Sequence, residues 1–505
     1  MLCLHDYLEY YARITPAHGF SSFDDHVQTY GEAAELASGI ANMLAASGVT
    51  FGDRVAILSR NSDRFVPIIC ATSKIGAVAV PLNYRLAAAE INFILEDAKV
   101  GVLFIQSAEW ERLRGEAWKP PEGCIVALIE ELSPCGSAGL PAPSPSEVSI
   151  ILQMYTSGTS GRPKGVLLTQ RAVLTNAHQL ETAIPYRLAR QDRYLIVCPL
   201  YHAAALISAV MTLRAGGEAV IQAEFDAGAV VAALSGGEIA AATLVPTMIS
   251  RCLDWASDAA PQRPGSPSFP ALRHILYGAA PISPEVLTGA AKLFDCQFTQ
   301  AFGLTETTSA ATALTAEDHA LALSSRPELL RACGSPLIGT TVRIDPASNE
   351  ICIAGPQLMQ GYAELPETSA AALSGGWFRS GDAGSFDQDG YLTIRDRIKD
   401  MVISGGENIY SIEVENALLA HPAIVDAAVI GIPDSTLGEA LLAFVVTGQE
   451  RPSEAAIIAH CRALLAGYKI PRRYEFVTAL PRNPSGKVLK NQLRTPFLQV
   501  KSPYA

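Results

Sequence analysis

Tyr155-Thr-Ser-Gly-Thr-Ser-Gly-Arg-Pro-Lys-Gly-Val166 is the stretch that decides the fold of this 505-residue chain. It follows a short apolar run, Ile150 to Met154, that is typical of a strand. The glycines at 158, 161 and 165 let the backbone approach a ligand closely, and free N–H groups in such a loop can hold phosphate oxygens. Lys164 adds a positive charge for a polyphosphate. The stretch therefore predicts a strand that ends in a phosphate-binding loop.

Other interpretations of this loop account for less of the sequence. A flexible Ser/Gly turn explains most loops of this composition, but here it must also explain the lysine and the strand that leads in. A Walker loop would need Gly-Lys at positions 163 and 164, and residue 163 is proline. A dinucleotide fingerprint is excluded because no Gly-x-Gly-x-x-Gly follows a strand.

On both sides of the loop, apolar strands alternate with helical patterns, which predicts an α/β fold with parallel sheets covered by helices on both faces. The predicted strands are Arg54–Leu58, Ala77–Val80, Val100–Ile105, Glu218–Ile221, Ile239–Leu244, Arg273–Tyr277 and Gln297–Gln300, and the predicted helices include Glu32–Ser47, Arg64–Ile75, Ala87–Asp97 and Pro284–Phe294. The segment 120–147 is rich in Pro, Gly and Ser and is expected to be a surface connection.

Beyond Tyr391 the sequence changes character. Charges cluster in Arg395-Asp-Arg-Ile-Lys-Asp400, and a glycine-rich turn then opens a compact stretch of mixed helix and strand. We expect a boundary near Lys399, which separates a large layered domain of residues 1–398 from a small α+β domain of residues 399–505.

Composition restricts the class of protein. Hydrophobic residues make up 49% of the chain and charged residues 17%, which supports a deep core and excludes a disordered chain. Lys and Arg total 38 against 50 Asp and Glu, a net charge of −12 that argues against a nucleic-acid partner. The ten cysteines form no Cys-x-x-Cys pair, so we expect buried free thiols in a reducing, cytoplasmic compartment.

One segment raises the question of a membrane span. The 20 residues between Arg193 and Arg214 carry no Lys, Arg, Asp or Glu. Pro199, Tyr201 and His202 interrupt them, so a strand, a turn and a buried helix are expected instead of an integral membrane segment. Peripheral membrane contact stays open, as does the choice between a monomer and a homodimer.

Further motifs follow the loop in a fixed order. They are Pro199-Leu-Tyr-His202, Tyr277-Gly-Ala-Ala-Pro281, Gln300-Ala-Phe-Gly-Leu-Thr-Glu306, Gly376-Trp-Phe-Arg-Ser-Gly-Asp382, Arg395-Asp-Arg397, Ser404-Gly-Gly-Glu-Asn-Ile-Tyr410 and Pro481-Arg-Asn-Pro-Ser-Gly-Lys487. This set resembles the adenylate-forming superfamily of acyl- and aryl-CoA synthetases, amino-acid adenylation domains and firefly-type luciferases. The resemblance covers essentially the whole chain, and the ordered set is far more specific than any one motif.

The resemblance implies ATP, Mg²⁺ and CoA as cofactors. The catalytic residues that it implies are Lys487, Glu306, Thr305 and His202, with Glu306 as the metal ligand. The residues that it implies for cofactor binding are Thr156, Ser157, Gly158, Thr159, Ser160, Gly161, Lys164, Gly278, Ala279, Ala280, Ala301, Phe302, Gly303, Asp382, Arg397, Gly405 and Gly406.

Each position also has an ordinary structural explanation. Thr305-Glu306 alone is typical of a helix cap, and a lone histidine in an apolar run such as His202 is typical of a satisfied core residue. Arg397 stands in what would otherwise be a solvated charge run, and Lys487 would otherwise be surface charge.

The resemblance implies a carboxylic acid:CoA ligase with a mobile C-terminal domain, which forms an acyl-AMP and then an acyl-CoA. Small residues dominate the expected acyl pocket, which consists of His202, Ala203, Ala204, Val245, Gly278, Ala279, Ala301, Gly303 and Ala310. They favour a medium- to long-chain fatty acid. The alternatives are an aryl-CoA ligase and an adenylating enzyme that loads a carrier protein.

Overall fold

The structure is a computed structural model, and it describes residues 2–116, 118–134, 145–156, 162–259, 267–280, 282–405, 407–448, 450–482 and 488–498. Over these residues the helices are α1 Leu4–Ile14, α2 Tyr30–Ala46, α3 Phe65–Ile75, α4 Ala88–Asp97, α5 Ser107–Gly115, α6 Gln170–Ala183, α7 Ala203–Ala215, α8 Ala227–Ser235, α9 Pro246–Ala259, α10 Pro284–Phe294, α11 Ala316–Ser324, α12 Pro366–Ala372, α13 Ser411–Leu419, α14 Glu454–Leu464 and α15 Lys490–Leu498.

The strands of the same residues are β1 Gly19–Phe23, β2 His26–Thr29, β3 Arg54–Leu58, β4 Val78–Leu82, β5 Val100–Ile105, β6 Ile125–Leu128, β7 Ile150–Thr156, β8 Lys164–Thr169, β9 Arg193–Ile196, β10 Glu218–Ile221, β11 Ile239–Leu244, β12 His274–Gly278, β13 Gln297–Phe302, β14 Thr312–Leu314, β15 Ser335–Pro336, β16 Thr341–Ile344, β17 Glu350–Ala354, β18 Gly361–Tyr362, β19 Phe378–Phe386, β20 Leu392–Arg397, β21 Val402–Ser404, β22 Glu407–Ile409, β23 Ile424–Asp434, β24 Gly438–Thr447 and β25 Arg473–Phe476.

The chain divides into two compact units. The first comprises Met1–Val342 and Ile353–Phe378, and the second comprises Arg343–Cys352 and Arg379–Ala505. This division by packing differs from the single boundary predicted at Lys399, because the second unit also includes strands that precede that residue. The prediction that the chain pivots at Lys399 concerns motion and stays a prediction.

Two sheets form the first unit. One has the strand order β15-β14-β13-β12-β11-β9-β10-β1-β2, and the other has the order β18-β8-β7-β4-β3-β5-β6. The strands β9 to β13 run parallel to one another, as do β3, β4, β5, β6 and β7. The side chains of β3, β4, β5 and β11 are almost wholly buried, which explains the continuous apolar runs at these strands in the sequence. The predicted α/β class with parallel sheets flanked by helices is confirmed.

The apolar segment after Arg193 folds as expected. It forms β9, a turn that contains Pro199, and the buried helix α7. No helix in the described ranges is long and apolar enough to cross a membrane. The cysteines in the same ranges are free, and seven of them are buried.

The described part of the segment 120–147 contains a strand that was not predicted. It was predicted to be a connection, but it contains strand β6, which pairs in parallel with β5. The short run Ile-Val-Ala-Leu supplies enough apolar surface for an edge strand despite its Pro- and Gly-rich flanks.

The second unit contains a sheet of order β16-β17-β19-β20 and a sheet built on the long hairpin β23–β24. Helices α13 and α14 cover one face of the β23–β24 sheet around Val414, Leu418 and Ile457, which are fully buried. The predicted α+β character of the C-terminal part is therefore confirmed.

Candidate active site

The carboxyl ends of four parallel strands bring four distant motifs to one sheet edge. Strands β9, β11, β12 and β13 are direct neighbours. The residues at or just after their ends are His202, Val245, Gly278 and Ala301, and Gly278 pairs directly with Ala301. In parallel α/β sheets this edge is where ligands bind. The structure thus gathers most of the predicted acyl-pocket and adenine-binding residues along one line.

Two glycines on this edge allow the backbone to pack closely. A Cβ atom at Gly278 would lie 2.3 Å from the carbonyl oxygen of Ala301. A Cβ atom at Gly303 would lie 2.2 Å from the carbonyl oxygen of Ser309. Real Cβ atoms do not approach a backbone oxygen so closely, so any side chain at either position must displace the strands that carry the motifs.

The same edge contains strained backbone. Ala279 has φ of 68° and Thr308 has φ of 64°, a region that costs free energy for residues other than glycine. Thr308 is buried, and its hydroxyl donates to the carbonyl oxygen of Gln357 at 2.7 Å, which holds the strained turn in place. Both residues stand within or directly after a predicted ligand-binding motif.

His202 lies at the start of α7, and its Nε2 atom is buried without a hydrogen-bond partner among the described residues. Burial, with a smaller contribution from the positive charge of Arg85, lowers the pKa of His202 to about 4. The imidazole is therefore neutral near pH 7. A neutral imidazole whose buried Nε2 atom has no partner among the described residues is more consistent with a residue that lines a ligand pocket than with a core histidine whose hydrogen bonds are all made.

A buried asparagine fixes the loop that carries His202. The Nδ2 atom of Asn61 donates to the carbonyl oxygens of Cys198, at 3.0 Å, and Gln222, at 3.1 Å. Its Oδ1 atom accepts from the backbone N–H of Leu200 at 2.7 Å. One side chain therefore ties the loops after β9 and β10 to the loop after β3.

The guanidinium of Arg85, whose charge acts on His202, is itself paired with other side chains. It lies 3.5 Å from the carboxylate of Glu224 and donates to the hydroxyl of Tyr84 at 3.1 Å. Glu224 also pairs with Arg60 at 2.7 Å. Arg85 and Arg60 thus share the carboxylate of Glu224.

The predicted phosphate-binding loop joins two antiparallel strands. Thr156 at the end of β7 faces Lys164 at the start of β8. At Gly165, a Cβ atom would lie 2.7 Å from the Nε2 of Gln153, so that side chain would have to move. The predicted residues Ser157, Gly158, Thr159, Ser160 and Gly161 lie outside the described residues.

Glu306 lies in a 3₁₀ turn, Thr305–Thr307, that follows β13. It is 9% exposed, and its Oε1 atom accepts a hydrogen bond of 2.9 Å from the hydroxyl of Tyr362. Burial and the Glu306 charge raise the pKa of Tyr362. No cluster of three or more metal-ligating side chains occurs in the described part of the chain. A single buried carboxylate fits Mg²⁺, which commonly takes one or two protein carboxylates and completes its shell with phosphate oxygens and water.

In the second unit, Asp382 on β19 faces Arg397 on β20, and the two side chains form an ion pair. Asp382 is 4% exposed. Gly405 lies elsewhere in this unit, with its N–H bonded to the carbonyl oxygen of Leu437 at 2.9 Å. The predicted residues Gly406 and Lys487 lie outside the described residues.

Sequence reasoning missed two residues that support the site. Asn61 follows an ordinary strand, and Tyr362 follows an ordinary glycine, so neither has a distinctive local pattern. Their roles depend on contacts that cross more than 55 residues of sequence. The local feature that marks Tyr362 is the φ of 157° at the preceding Gly361, and a backbone angle cannot be read from a sequence.

Comparison with known families matches the geometry. The family described as AMP-binding enzyme matches residues 8–363, and the AMP-binding enzyme C-terminal domain matches residues 413–487. The chain is 36% identical over 487 residues to a fatty acid–[acyl-carrier-protein] ligase of Streptomyces coeruleorubidus, covering 93% of this chain and 91% of the relative. It is 37% identical over 486 residues to a feruloyl-CoA synthase of an Amycolatopsis species, covering 93% and 94% of the two chains. It is 35% identical to a long-chain-fatty-acid–CoA ligase of Mycobacterium tuberculosis, covering 93% of each chain.

Solved structures give the same result. The o-succinylbenzoate CoA synthetase of Bacillus subtilis in complex with its acyl-adenylate intermediate superposes with a TM-score of 0.84 at 30% identity, covering 97% of each chain. The same enzyme in complex with ATP and a magnesium ion also gives a TM-score of 0.84, covering 97% of this chain and 99% of that one.

Proposed function

The chain belongs to the family of AMP-binding enzymes and is an AMP-forming acid–thiol ligase of the adenylate-forming superfamily, and from this premise we propose that it activates a medium- to long-chain fatty acid and transfers the acyl group to CoA. The first half-reaction joins the carboxylate to the α-phosphorus of ATP and releases pyrophosphate. In the second, the CoA thiol displaces AMP from the acyl-adenylate. Both are displacements that need positioning and charge neutralisation rather than a protein nucleophile.

The observation that carries the substrate proposal is the apolar character of the strand edge beside His202. Ala203, Ala204, Val245 and Ala310 are the expected neighbours of the acyl chain, and Arg85, the cation whose charge acts on His202, is already paired with Glu224. A pocket without an unpaired cation does not offset the desolvation of a second carboxylate. An apolar acyl chain fits this edge best, and the neutral imidazole of His202 is proposed to contact the reacting carboxylate.

The residues proposed to bind ATP come from several of the motifs. In the first unit, Thr156 and Lys164 hold the phosphates together with residues 157–161, and Phe302 supplies a half-buried ring beside Gly303 for the purine. Thr305 contacts the α-phosphate. In the second unit, Asp382 and Arg397 contact the ribose. These assignments rest on the resemblance of the motifs.

Mg²⁺ is proposed to bind the carboxylate of Glu306 and to neutralise the phosphate oxygens during adenylation. The magnesium complex of the Bacillus subtilis relative supports its use here. CoA is proposed to pass Gly405 and Gly406, where the absence of side chains leaves room for the pantetheine arm. Leu437 lies against this loop, because a Cβ atom at Gly405 would be 3.4 Å from Leu437 Cδ2.

The test is a panel of free acids, with saturated chains of eight to sixteen carbons set against benzoate, cinnamate and ferulate. Pyrophosphate release reports adenylation, and thioester formation is measured with free CoA and with a phosphopantetheinylated carrier protein. We expect the fatty acids and free CoA to give the highest kcat/KM. Turnover restricted to aromatic acids would overturn the fatty-acid proposal, and transfer only to the carrier protein would overturn CoA as the acceptor. The carrier alternative is supported by the relative from Streptomyces coeruleorubidus.

Lys487 is proposed to contact the carboxylate and the α-phosphate during adenylation only. Lys487→Ala should then slow pyrophosphate release by roughly 10²–10³-fold, the effect of losing one transition-state charge contact. Transfer from pre-formed acyl-AMP to CoA should stay near the parent rate. Equal losses in the two half-reactions would contradict this assignment.

A cytoplasmic location, a monomeric or homodimeric state and peripheral membrane contact are also part of the proposal, and each needs its own test.

A further inference from the structure

Tyr362 is held firmly on the hairpin that carries the phosphate-binding loop. It belongs to β18, which pairs antiparallel with β8, so that Tyr362 faces Val166. The backbone N–H of the next residue, Ala363, donates to the carbonyl oxygen of Gly165 at 2.8 Å. The position of the Tyr362 ring is therefore fixed by the same strand that begins at Lys164.

The hydroxyl of Tyr362 reaches a different sheet. It donates to Oε1 of Glu306, in the turn that follows β13, at 2.9 Å. A second bond runs in parallel, since the N–H of Met359 donates to the backbone carbonyl of Glu306 at 2.8 Å. Glu306 is thus held through both its backbone carbonyl and Oε1, while its other carboxylate oxygen has no hydrogen-bond partner among the described residues.

The face of the same ring receives a cation. The Nζ atom of Lys164 lies 5.1 Å from the centroid of the Tyr362 ring, within the range of a cation–π interaction. Among the described residues, Lys164 and Glu306 form no ion pair with each other. The aromatic ring thus attracts the ammonium group at a site that does not neutralise the nearby carboxylate.

We propose that Tyr362 is a positioning residue that keeps Lys164 and Glu306 apart, so that the ammonium stays available to the ATP phosphates and one Glu306 oxygen stays available to the metal. This inference rests on the proposed function. Without the ring, the ammonium of Lys164 and the carboxylate of Glu306 would neutralise each other. The ATP phosphates would then lose the ammonium, and the metal would lose the carboxylate. Without the hydroxyl, the carboxylate would lose the contact that orients it.

A purely structural role predicts something different. A tyrosine that only bridges two sheets would lower the stability of the fold when altered, with no specific change in metal or nucleotide affinity. Groups that orient a metal ligand typically change metal affinity by 10–100-fold when removed. Metal affinity therefore separates the two roles.

The hydroxyl is tested with Tyr362→Phe. Binding of Mn²⁺, as a substitute for Mg²⁺, is measured by electron paramagnetic resonance in the presence of an ATP analogue with a methylene group between the α- and β-phosphorus atoms. We expect the Mn²⁺ dissociation constant to rise about tenfold. The matched control is Tyr84→Phe, which removes another tyrosine hydroxyl of the first unit that donates to a carboxylate, that of Glu224, at 2.8 Å and stands in no ATP-binding motif. The control should lower the melting temperature by a similar amount and leave the Mn²⁺ dissociation constant unchanged.

The ring is tested with Tyr362→Leu. Affinity for the same ATP analogue is measured by calorimetry in the presence of EDTA, so that no metal contributes. The analogue should bind Tyr362→Phe as tightly as the parent, because the ring remains. It should bind Tyr362→Leu about threefold more weakly, the scale of one exposed cation–π contact.

Glu306→Gln shows whether the metal site itself is correct. If Glu306→Gln binds Mn²⁺ like the parent, the proposed metal site fails and the inference about Tyr362 fails with it. If Glu306→Gln weakens Mn²⁺ binding but Tyr362→Phe does not, the proposed function stands and the positioning role is overturned. In support of the role, Tyr362→Phe should have no further effect on Mn²⁺ binding in the Glu306→Gln background, because the carboxylate that the hydroxyl orients is already absent.

Discussion

Asp382 and Arg397 occupy directly paired positions on β19 and β20, and Nε of Arg397 lies 2.6 Å from Oδ1 of Asp382. Arg397 also donates to the carbonyl oxygen of Ser380 at 3.3 Å. The two residues that the motifs assign to the ribose therefore form one hydrogen-bonded pair. Their separation of 15 positions in the sequence is closed by a single β-hairpin.

We expect Asp382→Asn to raise the KM for ATP by at least roughly tenfold, because the pair loses its charge and Arg397 loses its buried partner. The matched control is Asp345→Asn, which alters another carboxylate–arginine pair of the same unit, with Arg379 at 3.1 Å. Asp345 stands in no ligand-binding motif, so its variant should keep the parent KM. Steady-state pyrophosphate release measures both, and an unchanged KM in Asp382→Asn would contradict a nucleotide role for the pair.

Gly303→Ala should destabilise the first unit and abolish adenylation. The new Cβ atom would lie 2.2 Å from the carbonyl oxygen of Ser309 and must displace the turn that leads to Glu306. Gly101 offers the comparison, since it lies in β5 with no atom within 4 Å of its Cβ direction. Gly101→Ala should be neutral or slightly stabilising. Thermal unfolding and pyrophosphate release in the two variants would check this, and parent-like adenylation in Gly303→Ala would show that the turn tolerates a side chain.

Asn61→Leu should reduce kcat/KM for the acid with little change in the KM for ATP. The leucine is similar in volume but leaves the N–H of Leu200 and the carbonyls of Cys198 and Gln222 without their partner. The loop that carries His202 would then lose its anchor. Kinetics at saturating ATP over a range of acid concentrations would measure the effect. A variant with parent kinetics for the acid would show that this loop is fixed by other contacts.

Acid should destabilise the first unit through its buried histidines. Burial lowers the pKa of His274 to about 3, while an unfolded histidine titrates near 6.5. The unfolded state therefore binds more protons between these values, and stability falls as the pH falls below about 6.5. One such histidine contributes a loss of about 2 kcal/mol between pH 7.5 and pH 5.

His274→Leu should make the free energy of unfolding less sensitive to pH by that amount. Its Nε2 contacts Thr299 at 2.9 Å, its Nδ1 has no partner among the described residues, and His319 is the titratable neighbour that lowers its pKa further. Urea unfolding at the two pH values, in parent and variant, provides the measurement. An identical pH dependence in the two proteins would mean that His274 does not titrate on unfolding.

Lys399→Pro tests the predicted pivot. Lys399 lies in the 3₁₀ turn Ile398–Asp400, which is closed by a hydrogen bond from the N–H of Met401 to the carbonyl oxygen of Arg397 at 3.0 Å. A proline at 399 therefore leaves the donor of this bond in place while it restricts rotation. Single-turnover pyrophosphate release should survive, and thioester formation from acyl-AMP should fall at least roughly tenfold, about 1.4 kcal/mol of barrier. Parent rates in both half-reactions would place any pivot elsewhere.

Local patterns in the sequence were sufficient for much of the fold. The runs Val100–Ile105 and Ile239–Leu244 are strands with the predicted bounds, because polar residues bound the first run and Glu238 and Pro246 stand near the ends of the second. The strand ends also carried the adenine and acyl motifs, since parallel strands end at a common edge. The location of these motifs at that edge could thus be predicted without knowledge of any long-range contact.

Long-range pairing could not be predicted in this way. The second unit recruits Arg343–Cys352 from well before the charged segment that marked the expected boundary. Nothing in a ten-residue stretch shows which later strand will pair with it. The contact between Lys164 and Tyr362 likewise depends on β18 adding to the edge of a sheet whose other strands all end at or before Thr169.

The interleaving of the two units restricts how this enzyme can exchange parts during evolution. The chain passes from one unit to the other after Val342, after Cys352 and after Phe378. A single recombination point therefore cannot transfer the whole second unit to a homologue, because the short piece 343–352 would stay behind. A crossover at Lys399 would move the β23–β24 sheet but leave β16 to β20 with the old partner. Buried Asp396 would then have to accept its hydrogen bonds from a foreign Ser411. Lineages that exchange this region should preserve that aspartate–serine match or replace both residues together.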